Sequence, residues 1–575
     1  MKIKSLLIGM LACSALVACT NDDLLEDNGQ ENQKAGNSYL AVKLVSPSAS
    51  SRATGDYAFG NTAEQTVTNA RFYLFKADGS AYDIKDESTN KKNFVDATPG
   101  GTFNDEGKTN VETVLETVLV IDKSQAAPPA KILAVLNYPE TELGAESMDL
   151  DELQDVLDNF GTINADNGAP YTTSGNFVMS NSAYVDAAGN VVYATPIAAE
   201  NIQIDKEEAM KAENAVEIYV ERVAAKVQTQ VEAASTQPTD EKAQTFFVKE
   251  GKYYAFTGQA DANDDPIYAR LKGWRVTNIT SKSKLIKSLE TTANANYTWT
   301  WNNPTNYRSY WSDDAGQTLS WAWNFNETNL SFDTNNWEYY NENTKNAAGK
   351  NSQLLVAVEF VTIDDGEVSQ PQPIAEWYGV KYTLDDLKTH VAGALADKLF
   401  TYDEETKVYS SITADAITFT QVEADPNADE RYISKIGVAT AQYYYKSGES
   451  MIAYDSTGNT TLASVINALQ PAKIWGNIVN GAYVGGGYYY VDIIHNAGTI
   501  TKDAQGKVTS DTNVYGLVRN HWYLLTLKNL NGLGTPVYDP EKVIITERPD
   551  TDYSYISAEI NVLAWRMVSQ DVNLQ

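Results

Sequence analysis

Strict alternation of apolar and polar residues marks both ends of this chain. Near the start, residues 39–45 place Leu40, Val42 and Leu44 on one face and Tyr39, Ala41, Lys43 and Val45 on the other, until Pro47 stops the pattern. A period of two predicts a single strand, set off by polar linkers on both sides. Near the end, Ile556, Ala558, Ile560 and Val562 share one face against Ser557, Glu559 and Asn561, and Leu563, Ala564 and Trp565 extend the run. Between them, strand patterns recur over 67–75, 131–138, 176–179, 216–227, 354–361, 488–494 and 523–527, separated by turn-rich segments as in sandwiches. Helical spacing is confined to two places. Residues 149–160 have Asp149 as cap, Glu152 three residues on, an apolar face of Leu150, Leu153, Val156, Leu157 and Phe160, and Gly161 as stop. Residues 383–399 carry Leu384, Leu387, Val391 and Leu395. The pattern predicts an all-β chain with a few short helices lying over its sheets.

Composition sharpens this picture. Thirty-five tyrosines, with abundant Thr, Val and Asn, suit strands and long loops. At 575 residues and 43% hydrophobic content the chain can fill the cores of two or three domains. Cys13 and Cys19 are its two cysteines. Lys2 and Lys4, an apolar run over 6–18 and the sequence Leu16-Val17-Ala18-Cys19 predict a lipoprotein signal, cut before Cys19, whose thiol takes the lipid. The expected mature chain then holds no disulfide. No other stretch reaches the roughly 18 apolar residues of a membrane helix.

Charge argues against one class of partner. Seventy-six acidic against 44 basic side chains give a net charge of −32, which disfavours nucleic acid. The acidic run 20–27 and the polar residues up to Ser38 predict a tether. Such a run behind a lipid-bearing cysteine resembles the surface-export signal of some Gram-negative lipoproteins, and it fits a plain solvated linker equally well. Arg52 is the first arginine of the chain and follows the small polar stretch 48–51, a natural cut site for an arginine-specific protease.

Other candidate chemistry is thin. His390, His495 and His521 are scattered without ligand spacing, and His390 beside an apolar helical stripe suits packing better than ligation. Asp261, Asn263, Asp264 and Asp265 suggest a calcium loop but lack its central glycine and distal glutamate, leaving a solvated turn. No catalytic residue, metal ligand or cofactor is predicted. The region 294–340 holds Trp299, Trp301, Trp311, Trp321, Trp323 and Trp337, which suits either a sugar-stacking platform or the cover of a sheet or seam.

The two terminal strands are complementary. Removing 39–45 would leave an open edge and an exposed groove, and the last strand, behind the hinge-like 546–553, suits insertion into a neighbour's groove. It also suits pairing within its own domain. Exchange between copies would be heterologous and would propagate into a filament.

Several segments resemble the fimbrillins, or type V pilins, of anaerobic Gram-negative bacteria. Gly516-Leu517-Val518-Arg519-Asn520-His521-Trp522-Tyr523 with Asn531-Gly532-Leu533-Gly534-Thr535-Pro536 resembles the family's C-terminal signature, and Trp337 with Glu342-Asn343-Thr344 another recurring element. Glu221-Arg222-Val223-Ala224-Ala225-Lys226-Val227, Phe177-Val178-Met179-Ser180 and the ending Val562-Leu563-Ala564-Trp565-Arg566 are similar to family strands, the last to that of the short-fimbria shaft subunit. The resemblance implies two tandem transthyretin-like β-sandwich domains, with 1–18 as signal, 19–52 as lipidated propeptide, 53–285 and 286–545 as the domains, their boundary loosely within 230–290, and 546–575 as linker and donor arm. It implies acylation at Cys19, processing at Arg52-Ala53, removal of the strand bearing Leu40, Val42 and Leu44, and donation of Ile556, Ala558, Ile560, Val562 and Trp565 to the next copy. The implied partners are further copies head to tail, tip and anchor subunits and an arginine-specific protease. The implied course runs from outer-membrane lipoprotein precursor to extracellular fimbria supporting adhesion. The alternatives are a tip or anchor subunit, and a lipid-anchored glycan-binding protein with the tryptophan-rich region as platform. A glycosidase finds no motif among so many carboxylates.

Overall fold

The computed structural model describes residues 37–46, 60–84, 92–97, 113–122, 127–158, 160–161, 177–186, 188, 190–209, 211, 213–289, 312, 319–320, 323–328, 330–333, 335–344, 351–421, 433–454, 460–495, 501–502, 508–510, 515–541, 555–563 and 568–570. The fold is mostly β, with a few short helices.

A first, nine-stranded sheet contains β1 (Asn37–Ser46), β2 (Ala70–Phe75), β3 (Phe94–Ala97), β4 (Thr113–Asp122), β5 (Lys131–Leu136), β6 (Met179–Asn181), β7 (Ile202–Gln203) and β8 (Val216–Arg222). Its order runs β7-β1-β8-β6-β5-β2-β3, with β4 paired to β1 off this path. One core gathers Leu40 and Val42 of β1 and Leu119 and Ile121 of β4 with Phe72, Leu74, Ile132, Ala134 and Leu136 of the far strands. The sheet therefore curls over on itself. A second core on its other side joins Tyr73, Leu133 and Val135 to Leu150, Leu153, Leu285 and Ile286.

The helix expected over 149–160 is shorter, Leu150–Gln154. Glu152 accepts from the Asp149 N–H at 2.8 Å, as the capping box requires. Leu157–Asp158 instead pairs antiparallel with Ser283–Lys284, so a contact far along the chain ends the helix. The helix expected over 383–399 spans Leu384–Leu395, where Thr383 Oγ1 accepts from the Asp386 N–H at 3.1 Å and Leu384, Leu387, Val391 and Leu395 are buried.

The single strand expected over 216–227 is two strands. β8 ends at Arg222, the Val223 N–H donates to Val178 O at 3.0 Å, and β9 (Ala224–Val231) enters a different sheet. That five-stranded sheet has the order β12-β9-β19-β20-β21, with β12 Trp337–Asn341, β19 Trp522–Asn531, β20 Tyr555–Leu563 and β21 Val568–Gln570. Facing it is a seven-stranded sheet that includes β10 (Lys252–Ala260), β11 (Pro266–Thr277), β13 (Gln353–Val361) and β18 (Gly486–Asp492). Val227, Tyr340, Tyr523, Leu525 and Leu527 from one sheet meet Ala269, Trp274, Val276, Val356, Phe360 and Val491 from the other in one sandwich core. The chain thus passes from the first sheet to the second at Val223, and returns to the first body's core at Leu285 and Ile286.

Between the neighbouring strands β13 and β18 the chain inserts a smaller body. A five-stranded sheet carries the helix Leu384–Leu395 over a core that includes Ala375, Leu387, Val391, Leu395 and Ile474. Beside it lies a four-stranded sheet of β14 (Phe400–Asp403), β15 (Val408–Ser411), β16 (Tyr444–Ser447) and β17 (Ser450–Ala453), in the order β15-β14-β16-β17.

Candidate assembly site

β1 is an interior strand. All ten of its residues pair antiparallel with β4, from Asn37 opposite Asp122 to Ser46 opposite Thr113. On its other side Val42 to Val45 pair parallel with Val216 to Tyr219 of β8, and Tyr39 and Leu40 pair with β7. Leu40 and Val42 are fully buried. Leu44 lies in the same ladder, opposite Leu115 and Ile218. Sequence alternation suggested an open edge once this strand is gone. The topology instead leaves a slot, with β4 along one wall and β7 and β8 along the other.

At the other end, β20 pairs antiparallel with β19 from Trp522 opposite Leu563 to Asn531 opposite Tyr555, and β21 closes the sheet outside it. Ile556, Ala558, Ile560 and Val562 are thus placed, within a single copy, along the β19 edge of the second body. Cys19, Arg52, Ala53 and Trp565 lie outside the described residues.

Three of the segments read as family signatures, those around Glu221, Glu342 and Arg519, converge on one buried seam between the bodies. Glu342 accepts from Arg519 Nε at 2.8 Å and from its N–H at 3.2 Å, while the same guanidinium donates to Leu285 O at 3.1 Å and Lys284 O at 2.7 Å. Lys287 Nζ stands 3.5 Å from Glu221 and 3.9 Å from Glu342. All four side chains are at most 2% exposed. Asn343 exchanges two backbone hydrogen bonds with Leu517, both 2.8 Å. Gly516 opens that signature because a Cβ there would lie 2.3 Å from Asn343 O, at φ +149°.

A second cluster adjoins the first. Glu64 binds Lys226 Nζ at 2.7 Å and also the Tyr339 hydroxyl, and Lys226 lies 4.1 and 4.0 Å from the Trp337 and Trp522 ring centres. Arg222 reaches Glu64 O at 2.7 Å and Asn520 Oδ1 at 3.2 Å. Charges this deep remain tolerable only as hydrogen-bonded pairs. Lys287 has no local mark in the sequence, and Glu64 has only its capping-box spacing from Asn61, a box that does form around the helix α1 (Thr62–Gln65).

Burial acts to raise the pKa of both seam carboxyls. At Glu342 the charges of Arg519 and Lys287 and the hydrogen bonds from Arg519 outweigh burial and hold the group below its ordinary value. At Glu221 burial wins over the charges of Lys287 and Arg519, with neighbouring Glu342 adding to the rise, and pushes it up to about 7. Its Oε1 has no hydrogen-bond partner among the described residues.

The remaining candidates fall elsewhere. Of the tryptophan-rich run, Trp323 packs against the sandwich core and donates to Val276 O at 2.6 Å, and Trp337 covers Lys226, so both serve packing. Trp299, Trp301, Trp311 and Trp321 lie outside the described residues. His390 sits between the Trp377 and Tyr382 rings at 5.9 and 5.4 Å. Asp261 closes a turn by accepting from the N–H groups of Asn263 and Asp265 at 2.8 and 3.0 Å. No group of metal-ligating side chains occurs among the described residues.

Residues 481–571 match the family model of the major fimbrial subunit protein type IV, fimbrillin, C-terminal. No curated protein matches the chain. Among solved structures, a fimbrilin from Porphyromonas gingivalis W83 is similar at 12% identity and TM-score 0.36, over 92% of this chain and 98% of that one. The tip fimbrial protein Mfa3 from the same species is similar at 10% identity and TM-score 0.32, over 92% and 100%. A fimbrial assembly protein from Parabacteroides distasonis is similar at 11% identity and TM-score 0.29, over 73% and 100%. The matched C-terminal region, which holds the Arg519 signature and the strand at 555–563, is thus similar to the C-terminal region of fimbrillin, a major fimbrial subunit protein.

Proposed function

We propose that this protein is a fimbrillin, a shaft subunit of a cell-surface fimbria, with a structural and not a catalytic role. It is exported as a lipoprotein through Cys19 and cut at Arg52-Ala53. It then polymerises when residues 556–565 of one copy take the place that β1 holds in the next.

One observation carries this reading: β1 is bracketed on both sides, so its departure opens a slot and not merely an edge. An incoming strand there regains ladders along two walls and the buried sites of Leu40 and Val42, each worth roughly 1.5–3 kcal/mol. The strand it draws on, β20, is bonded to β19 along its length but to β21 through only three pairs. Exchange therefore trades a position near a sheet edge for one inside a sheet. Because donor and acceptor surfaces differ, the contact is heterologous and extends into a filament.

The test uses residues 20–575 treated with an arginine-specific protease, with the new N-terminus mapped by mass spectrometry and polymers followed by electron microscopy. A cut after Arg52, and filaments only when residues 555–575 are present, is the expected result. Processed protein that stays monomeric with its C-terminal strand intact would overturn the reading.

A further inference from the structure

The inserted body between β13 and β18 departs from the rest of the molecule in one respect. Among the described residues, seven of the nine exposed large hydrophobic side chains lie between Tyr378 and Val479. Exposed apolar surface concentrated in one region marks a contact site. The four-stranded sheet β15-β14-β16-β17 carries three of these seven, Val408, Tyr409 and Ile452, of which Tyr409 lies on the face that follows.

One face of this sheet is aromatic. Tyr402 of β14 stands directly opposite Tyr409 of β15, and Tyr444 of β16 stands opposite Phe400, two residues from Tyr402. The period-two geometry puts all three tyrosines on the same side. Their ring centres form a closed triangle of 4.7, 5.9 and 5.1 Å. Tyr409 is exposed, and Tyr402 and Tyr444 are half-buried. Tyr445, one residue on and so on the opposite face, packs toward the core of the inserted body.

Size and charge narrow the occupant. Four strands about 4.8 Å apart and four residues long make a face of about 250 Å². A stable protein–protein contact needs about 800 Å² from each partner, so a second copy or another folded protein is too large a guest for this face alone. The turns at its rim expose Asp403, Glu404, Glu405 and Glu449. Two lysines border the face: Lys407, held by Glu404 at 3.2 Å and 5.9 Å from the Tyr402 ring centre, and exposed Lys446, two residues from Tyr444 and so on the same side. Four rim carboxylates against these two lysines, on a chain of net charge −32, disfavour anions. What fits is a small, uncharged molecule with flat apolar faces and many hydroxyls, because tyrosine offers a ring for stacking and a hydroxyl for hydrogen bonding.

We propose that the Tyr402–Tyr409–Tyr444 face binds a short neutral oligosaccharide. This site is separate from the tryptophan-rich run and does not depend on strand exchange, so it stands or falls independently of the assembly reading.

The experiment titrates the unprocessed protein, residues 20–575, with cellohexaose, maltohexaose, mannohexaose and sialyllactose in a calorimeter. At least one neutral hexaose binds and sialyllactose does not. Tyr409→Ala and Tyr444→Ala each weaken that binding roughly three- to tenfold, the range of one aromatic contact. Tyr409→Phe keeps most of it, and Tyr378→Ala, on a different hairpin, leaves it unchanged. Thermal melting shows that the variants fold. The proposal fails if no neutral hexaose binds, if sialyllactose binds as well as they do, or if binding survives both alanine substitutions. It also fails if those substitutions abolish self-association in light scattering instead, which would make the face a contact between copies.

Discussion

β1 and β20 have the same alternation in sequence and opposite situations in the fold. β1 lies inside its sheet, with ladders on both sides and Leu40 and Val42 fully buried. β20 lies one strand from the end of its sheet, bonded along its length only to β19. A half-buried period of two reports that one face is apolar but is silent about how many neighbours the backbone has. Losing the first strand breaks a body open, whereas losing the second shortens a sheet. Under the strand exchange proposed above, giving up an interior strand and offering a peripheral one supplies a thermodynamic reason to assemble in one direction.

The sharpest way to break this comparison is Val42→Asp. An unpaired carboxylate at a fully buried position in the middle of a sheet costs roughly 3–5 kcal/mol or prevents folding. Chemical denaturation of the unprocessed protein measures it, and a near-neutral result would mean that β1 is not the interior strand described. Next comes Arg519→Met at the seam. It leaves Glu342 buried with the backbone N–H of residue 519 at 3.2 Å and the more distant Lys287 at 3.9 Å, without the guanidinium, and a loss of roughly 3–5 kcal/mol follows. If the same denaturation shows a change below 1 kcal/mol, roughly the value of an exposed pair, the seam is not what joins the two bodies.

Much of the fold was legible locally. Apolar runs marked β5 and β13, and the cap at Thr383 with its apolar stripe marked the helix Leu384–Leu395. What escaped depends on contacts between distant residues. The stretch 216–227 reads as one strand because Val223 and Ala224 continue its apolar character, but the Val223 N–H bonds to Val178 O and turns the chain into a second sheet. Gln154 ends its helix because Leu157–Asp158 finds Ser283–Lys284. The terminal strands of the assembly site were visible as alternation, and the slot was not, because only the register with β4 and β8 creates it. The signature around Arg519 was recognisable as a pattern. Its reason, a buried carboxylate at Glu342, needed the fold, and Lys287 had no local mark at all.

A smaller effect tests the electrostatics of the seam. Glu221, raised to about 7, binds a proton in the folded protein that an ordinary glutamate has already released when unfolded. Its contribution is therefore complete below the unfolded pKa and is lost as pH rises through the folded one. Between about pH 5 and pH 8 the wild type should lose roughly 2–3 kcal/mol that Glu221→Gln does not lose. Glu342 works in the opposite sense, since its lowered pKa favours the folded state above its unfolded value and that benefit is lost only in acid. Unfolding curves for both proteins across this range should converge at the acidic end. Parallel curves would mean that Glu221 is ionised throughout.

The smallest expected change in stability is the most informative about assembly. Deleting residues 555–575 removes a strand whose hydrogen bonds are exchanged for hydrogen bonds to water, and it releases the entropy spent in ordering that strand. Tyr523, Leu525 and Leu527 of β19 keep their core contacts, because these are made with the facing sheet. The unprocessed monomer should therefore lose about 1 kcal/mol or less, while polymerisation after cleavage disappears. A truncation as damaging as Val42→Asp would show that β20 belongs to its own body too firmly to be given away. A harmless truncation that still polymerises would show that the slot is filled by something other than this strand.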